Sequence, residues 1–294
     1  AAVGACAGFG AICGSSLATA ATMGRVALPE LRRMGYSGSL STGALAAGGT
    51  LGILIPPSVI LIIYSILTEQ NIAKMFLAAF VPGILAAIGY LIAIAIFVRI
   101  KPDSGPPTSY VGWRQRLNLF GQVWQILVIF FLVIGGIYLG WFTPTEGASI
   151  GAAGTGIMAL FTKGFNFSDL IDVIKDTAVT SAMIFLVLLG AEFFNSFIAL
   201  TQITNELATF VISNELSPYL VVFCILVLYI LLGCLMDSLA MILLTIPVFF
   251  PIIIELDFGM SIEEVAIWFG ILTLIVVEVG LITPPVGLNV FIIN

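Results

Sequence analysis

The chain has 294 residues, of which 60% are hydrophobic and only 9% are charged. A soluble domain carries about 25% charged residues, so this chain cannot cover a surface that faces water, and its solvent must be lipid. All ten Lys and Arg residues lie at or before Lys175, whereas acidic residues continue to Glu278, and this argues against nucleic-acid binding.

Uncharged runs mark the candidate membrane segments. A helix needs about 20 residues to cross the hydrocarbon core, and several of the runs are shorter than that. The runs occupy residues 34–68, 75–98, 117–145, 147–162, 177–191, 216–236, 238–254, 265–277 and 279–294. We therefore expect an all-α polytopic membrane protein that mixes full spans with interrupted ones.

Loop charges predict the sidedness of these segments. The Pro- and Gly-rich linker at 99–118 and the loop around Arg25–Arg33 both carry basic residues, which places them in the cytoplasm by the positive-inside rule. Two spans lie between them, and an even number of crossings returns the chain to the same side. The acidic loop 255–264 is then expected on the periplasmic side.

Two pairs of segments resemble each other in the same order. Residues 15–18, Ser-Ser-Leu-Ala, resemble residues 237–240, Asp-Ser-Leu-Ala. Residues 52–57, Gly-Ile-Leu-Ile-Pro-Pro, resemble residues 280–285, Gly-Leu-Ile-Thr-Pro-Pro. The predicted sidedness makes the two units inverted in the membrane, and inverted repeats with interrupted helices are typical of secondary transporters.

Each repeat supplies two breaks in its helices. Polar turns at Gly14–Ser16 and at about Cys234–Ser238 separate short apolar arms, and we interpret both as tips of re-entrant helical hairpins. Each double proline removes two backbone donors and disfavours helix at the preceding residue. The carbonyls that are left unpaired are tolerable in lipid only where they line a cavity or bind something.

A desolvated sodium ion is the natural partner for such carbonyls and for nearby hydroxyls. The first predicted sodium site contains four residues, Ser15, Ser16, Gly49 and Thr50. The second contains Asp237, Ser238, Gly280 and Thr283. Close helix packing is the alternative interpretation of the small residues. The four cysteines form no Cys-x-x-Cys pair and histidine is absent, so we predict no other metal and no cofactor.

A carboxylate within the apolar part of this chain needs a positively charged partner to stabilise it. A charge such as that of Asp237 costs on the order of 2.5–3.5 kcal/mol in hydrocarbon, and no basic residue follows Lys175. A bound cation would offset that cost, and Glu278 poses the same problem.

An anionic substrate would have to be met without Lys or Arg. Half-helix N-termini carry about +0.5 charge together with free amides, so those at the hairpin tips and after the double prolines are candidate hosts. The predicted substrate contacts are Ser16, Pro57, Ser58, Ser238, Pro285 and Asn289.

These motifs resemble one transporter family. The runs at residues 14–20, 48–58, 236–247 and 278–291 resemble the large membrane subunit of the tripartite ATP-independent periplasmic (TRAP) transporters, the DctM-like proteins. The resemblance covers essentially the whole chain. Against the family's usual length, an N-terminal portion and a short C-terminal tail would be missing, so we expect a fragment.

The resemblance implies an elevator-type transporter in the bacterial inner membrane. It implies Na⁺-driven import of small organic anions, such as C4-dicarboxylates or sialic acid, by a protein that is not an enzyme. The implied partners are a small four-helix membrane subunit and a periplasmic solute-binding protein. Residues 1–67 and 201–294 would form the mobile transport domain, 68–176 mainly scaffold and arms, and 177–200 a connecting helix.

Three alternatives remain open at this point. The first is a stand-alone divalent-anion/Na⁺ symporter of similar fold that needs no binding protein. A membrane-embedded enzyme would need a nucleophile with its base, or metal ligands at helical spacing, and the sequence offers neither. A channel does not need inverted hairpins.

Overall fold

The computed structural model describes residues 1–106, 112–161 and 164–293. Within these ranges the chain forms thirteen α-helices: α1 Ala2–Cys13, α2 Ser16–Arg33, α3 Gly38–Leu54, α4 Val59–Leu67, α5 Ile72–Ile100, α6 Trp113–Tyr138, α7 Pro144–Phe161, α8 Phe167–Thr201, α9 Ile203–Ser213, α10 Pro218–Gly233, α11 Ser238–Ile254, α12 Ile262–Gly280 and α13 Leu288–Ile293. The expected all-helical class is confirmed. Residues 107–111 of the predicted cytoplasmic linker lie outside the described ranges.

Among the described residues, two of these helices are both long enough and apolar enough to cross a membrane alone. Helices α5 and α8, with 29 and 35 residues, are long and apolar enough to do so. Helices α3 and α4 pass the same test together, although the chain bends by 43° at the break between them. Helices α1, α10 and α11 are apolar but shorter, in agreement with the short uncharged runs of the sequence.

The chain divides into two compact units. One consists of Ala1–Pro107 together with Gly190–Asn294, and the other of Thr108–Leu189. Helix α5 lies in the first unit, where it packs against α3, α4 and α12. The predicted domain boundaries at residues 67 and 201 concern movement rather than packing, and they stay predictions.

Within the first unit, corresponding helices of the two halves of the chain make corresponding contacts. Helices α1 and α2 pack against α3, and α10 and α11 pack against α12. The helix that follows each double proline crosses to the other half: α4 packs against α11, and α13 packs against α2 and α3. We call this arrangement the exchanged packing. The apolar core that results joins both halves, and the buried Tyr64 hydroxyl donates to the carbonyl of Ala266 at 2.6 Å.

We call the helix pairs α1–α2 and α10–α11 the first and the second hairpin. Glycines allow the first helix of each hairpin to approach the helix that precedes the double proline. A Cβ atom added to Gly10 would lie 2.5 Å from Cα of Gly52. A Cβ atom added to Gly233 would lie 2.9 Å from Cα of Gly280. Both distances are too short for carbon atoms, so each helix pair needs glycine at this crossing.

We expect Gly10→Ala to destabilise the protein by about 1–3 kcal/mol, because the new methyl group meets backbone that cannot turn away. Gly89→Ala is the matched control, since a Cβ atom there has nothing within 4 Å. The thermal unfolding midpoint of each purified variant measures the difference. Equal midpoints for the two variants would contradict the close crossing of α1 and α3.

Polar contacts near the two ends of α5 show which loops lie close together in the first unit. The Lys74 ammonium at the start of α5 pairs with the Glu263 carboxylate at the start of α12. At the other end of α5, the backbone N–H of Ser37 donates to the carbonyl of Ser104 at 2.9 Å. The first contact brings the loop before α5 to the acidic loop 255–264, and the second brings the loop before α3 to the linker.

Helix α12 starts at a capping box. The Ser261 hydroxyl accepts from the Glu264 N–H, and the Glu264 carboxylate accepts from the N–H of Ser261 at 2.9 Å. The Ser261 backbone N–H, followed by its hydroxyl, holds the pKa of Glu264 below its usual value. The cap fixes where the acidic loop ends and the apolar helix begins.

The sidedness of the loops can be tested by labelling. In a background without the four native cysteines, Asp257→Cys is expected to react with a membrane-impermeant maleimide in intact cells. Asp103→Cys in the linker is expected to react only after the cells are permeabilised. Both positions are exposed in the structure, so accessibility within the protein does not bias the comparison. The reverse pattern would overturn the predicted topology.

Candidate functional site

The first hairpin turns sharply between α1 and α2. Helix α1 ends at Cys13 and is capped by Gly14, whose left-handed backbone (φ 65°, ψ 16°) suits glycine. The Ser15 side chain then caps α2 by accepting from the N–H of Ala18 at 3.4 Å. A Cβ atom on Gly14 would lie 3.0 Å from the carbonyl oxygen of Pro57, so this tip lies against the first double proline.

The second hairpin turns at residues 234–237, and Asp237 occupies the capping position that Ser15 has in the first. Its Oδ1 atom accepts from the N–H groups of Leu239 at 2.6 Å and Ala240 at 3.0 Å. The carboxylate therefore lies at the positive end of the α11 dipole, which stabilises a negative charge. The Cys234 thiol donates to the carbonyl of Pro284 at 3.1 Å, so this tip also touches its double proline. Both Pro–Pro peptide bonds are cis.

Glu278 joins the two tips. It lies in the last turns of α12 and is 1% exposed. The Ser16 hydroxyl from the first tip donates to its Oε2 atom. The Ser238 hydroxyl from the second tip donates to its Oε1 atom at 2.9 Å. One buried carboxylate thus accepts a hydrogen bond from the first residue of each hairpin's second helix.

The residues of the first predicted sodium site are only partly brought together. The carbonyl of Ser15 and that of Ser16 face the glycines of α3: added Cβ atoms on Gly52 and Gly49 would lie 2.8 Å and 3.3 Å from them. The Thr50 hydroxyl instead donates to the carbonyl of Ala47 at 2.6 Å and lies 2.8 Å from the Tyr90 hydroxyl. The two serines therefore lie beside Gly49, while the Thr50 hydroxyl forms a hydrogen bond with Tyr90 of α5 instead.

The second predicted set is divided in a similar way. Asp237 caps α11, and Ser238 is bonded to Glu278. Gly280 lies against Gly233, and the Thr283 hydroxyl donates to the carbonyl of Val279 at 2.6 Å. The tip and the break are therefore adjacent, but each side chain already has a partner within the protein.

The predicted substrate contacts differ in exposure. Ser58 is fully buried and caps α4 by accepting from the N–H of Leu61 at 3.4 Å. Asn289 on α13 is also fully buried; its Nδ2 atom donates to the carbonyl of Ala46 at 3.3 Å. Its Oδ1 atom has no hydrogen-bond partner among the described residues. Pro285 is exposed, whereas Pro57 is half-buried.

Two residues of this centre were not assigned to a site from the sequence. In the sequence, Glu278 is marked only as a second acid without a basic partner, just before the second break. Tyr90 carried no signal at all, because nothing in its local sequence predicts that the middle of α5 faces Thr50. Long-range packing, not a motif, places it there.

Comparison with known proteins identifies the family. The family model described as "Tripartite ATP-independent periplasmic transporter, DctM component" matches residues 1–294. The chain is 35% identical over 293 residues to the C4-dicarboxylate TRAP transporter large permease protein DctM of Pseudomonas aeruginosa, covering 99% of this chain and 67% of that protein. It is 30% identical to the sialic acid TRAP transporter permease protein SiaT of Haemophilus influenzae, covering 97% of this chain and 45% of that protein.

A third relative has another substrate in its name. The chain is 29% identical to the isethionate TRAP transporter permease protein DctMQ of Oleidesulfovibrio alaskensis, covering 99% of this chain and 45% of that protein. The chain spans between about half and two thirds of the length of these three relatives.

Fold, composition and site together define a helical integral membrane protein with a polar centre built from two helix-turn-helix tips. The chain belongs to the DctM component family of the tripartite ATP-independent periplasmic transporters. It is accordingly a transporter permease component and not an enzyme, and the resemblance seen in its motifs is confirmed.

Proposed function

We propose that this chain is the membrane permease of a secondary transporter that imports small organic anions by sodium symport. The anion is a carboxylate such as a C4-dicarboxylate or sialic acid, in line with the names of the DctM and SiaT relatives. Substrate arrives from a periplasmic solute-binding protein, and a small four-helix membrane subunit completes the complex in the bacterial inner membrane.

The observation that carries this proposal is the meeting of two hairpin tips at one buried carboxylate, with a double-proline break beside each tip. Ser16 and Ser238 reach the same carboxylate, and each tip touches its own break. The α2 N-terminus at the first tip offers a positive dipole end for an anion, and the interrupted helices and the Asp237 carboxylate at the second tip offer oxygens for a cation. A cotransporter needs both kinds of group close together.

The same region supports the re-entrant and elevator parts of the proposal. Helices α10 and α11, with 16 and 17 residues, are shorter than the about 20 residues that a full span requires. Helices α1–α3 pack on one another as α10–α12 do, and α4 and α13 show the exchanged packing. Two related halves of opposite orientation would produce this arrangement. Such halves allow a transport domain to present its site to either side.

Uptake into proteoliposomes containing the full-length complex tests the proposal. With an inward sodium gradient, loaded binding protein should drive accumulation of a radiolabelled C4-dicarboxylate or sialic acid. Replacing sodium by potassium should abolish accumulation. Sodium-driven uptake that persists without binding protein and without the small subunit would instead favour the stand-alone symporter. Equilibration without accumulation would favour a channel.

A further inference from the structure

The buried carboxylate of Glu278 does more than occupy the site, because it is shared by both hairpins. Its two oxygens accept from Ser16 and Ser238, which belong to different hairpins far apart in the sequence. All three side chains are buried, with exposures of 0%, 5% and 1% for Ser16, Ser238 and Glu278. Because these groups are shielded from water, a donor or acceptor that loses its partner here is not compensated by solvent.

Few other contacts could hold the tips in this way. No Lys or Arg follows Lys175 in the sequence. Among the described residues, the Asp237 carboxylate is occupied by the α11 cap, and the Thr283 hydroxyl bonds within its own turn. Among the described residues, the hydrogen-bonded link from tip to tip therefore runs through Glu278.

We propose that Glu278 is a positioning residue that couples the two hairpin tips, so that release of one tip loosens the other. Each serine holds its hairpin against α12 through one oxygen of the same carboxylate. Loss of either hydroxyl leaves one buried oxygen of Glu278 without a donor, and a turn of the side chain that relieves this cost also strains its bond to the remaining tip. Loss of the carboxylate removes both links at once.

A native cysteine can report on this coupling. Cys234 lies in the second tip, is 4% exposed and donates its thiol to the carbonyl of Pro284. With the other three cysteines replaced by alanine, the rate at which N-ethylmaleimide labels Cys234 in the purified complex measures how often the second tip opens. The measurement needs no transport, so its failure is distinct from failure of the proposed function.

The decisive variant is Ser16→Ala, because Ser16 belongs to the first hairpin and Cys234 to the second. We expect Ser16→Ala to raise the Cys234 labelling rate roughly tenfold, although the substitution is on the other hairpin. Glu278→Leu, which has no hydrogen-bonding group, is expected to raise the rate at least as much. Adding Ser16→Ala to Glu278→Leu should then change it little further, because the link is already lost.

Ser65→Ala is the matched control. Ser65 is a buried serine of α4 whose hydroxyl donates to the carbonyl of Leu61 in its own helix. It should leave the labelling rate at the parental value. Coupling is overturned if Ser16→Ala behaves like Ser65→Ala, or if Ser16→Ala and Glu278→Leu act additively. Ser16→Ala is a mild change, so a folding defect of Glu278→Leu would not prevent the test.

Discussion

Replacing Asp237 by Asn is expected to raise the sodium concentration for half-maximal uptake roughly ten- to a hundredfold. The position of Asp237 in the structure explains why this substitution isolates the effect of charge. Asp237 caps α11 through two backbone N–H groups, and Asn is as good an N-cap as Asp. The variant therefore keeps the tip folded and removes only the negative charge that a sodium ion at this tip would feel.

The measurement is uptake into proteoliposomes that contain the full complex, titrated with NaCl at constant ionic strength. Asp257→Asn is the control, because Asp257 also accepts a local backbone N–H, that of Gly259 at 2.8 Å, but lies in the exposed acidic loop. Its sodium titration should match the parent. An unchanged titration with normal maximal uptake in Asp237→Asn would remove this residue from the sodium site.

Replacing Asn289 by Ala is expected to raise the half-saturating concentration of the organic anion about tenfold, with a smaller effect on maximal uptake. The Asn289 side chain is fully buried, and its oxygen has no partner within the described part of the chain. An amide can turn either its nitrogen or its oxygen toward a ligand, so it suits a carboxylate or a substrate hydroxyl.

Asn195→Ala provides the comparison for Asn289→Ala. The Asn195 oxygen also lacks a partner within the described residues, but this residue lies on α8, outside both hairpins and both breaks. Substrate saturation curves at a fixed, saturating sodium concentration separate the two variants. Equal half-saturating concentrations for Asn289→Ala and the parent would remove Asn289 from the substrate site.

Much of the local structure could be predicted from residue types alone. Glycine and serine at residues 14–16 predict a turn followed by a capped helix, and in the structure one helix ends just before Gly14 and the next begins at Ser16. The double prolines likewise lie in the gaps between α3 and α4 and between α12 and α13. Such breaks depend on backbone chemistry within a few residues, which the sequence displays directly.

Side-chain partners in the centre were harder to predict. Thr50 and Thr283 were grouped with the tips because a hydroxyl is a sodium ligand, but in the structure their hydroxyls bond to Tyr90 or to their own helix. Glu278 was recognised as an acid without a partner, yet nothing local indicates that two hairpins converge on it. Those choices depend on how α3, α5 and α12 pack, and contacts so far apart in the chain leave no local pattern.

The exchanged packing has a consequence for how the protein is made. Helix α4 can contact α11 only after about 180 further residues have been synthesised. The delay between the synthesis of α2 and that of α13 is still longer. During translation the first half must remain in the membrane with its inner surface incomplete. Neither half can therefore mature as a separate folding unit, and a ribosome that stalls before α13 would leave an unfinished first half exposed to quality-control proteases.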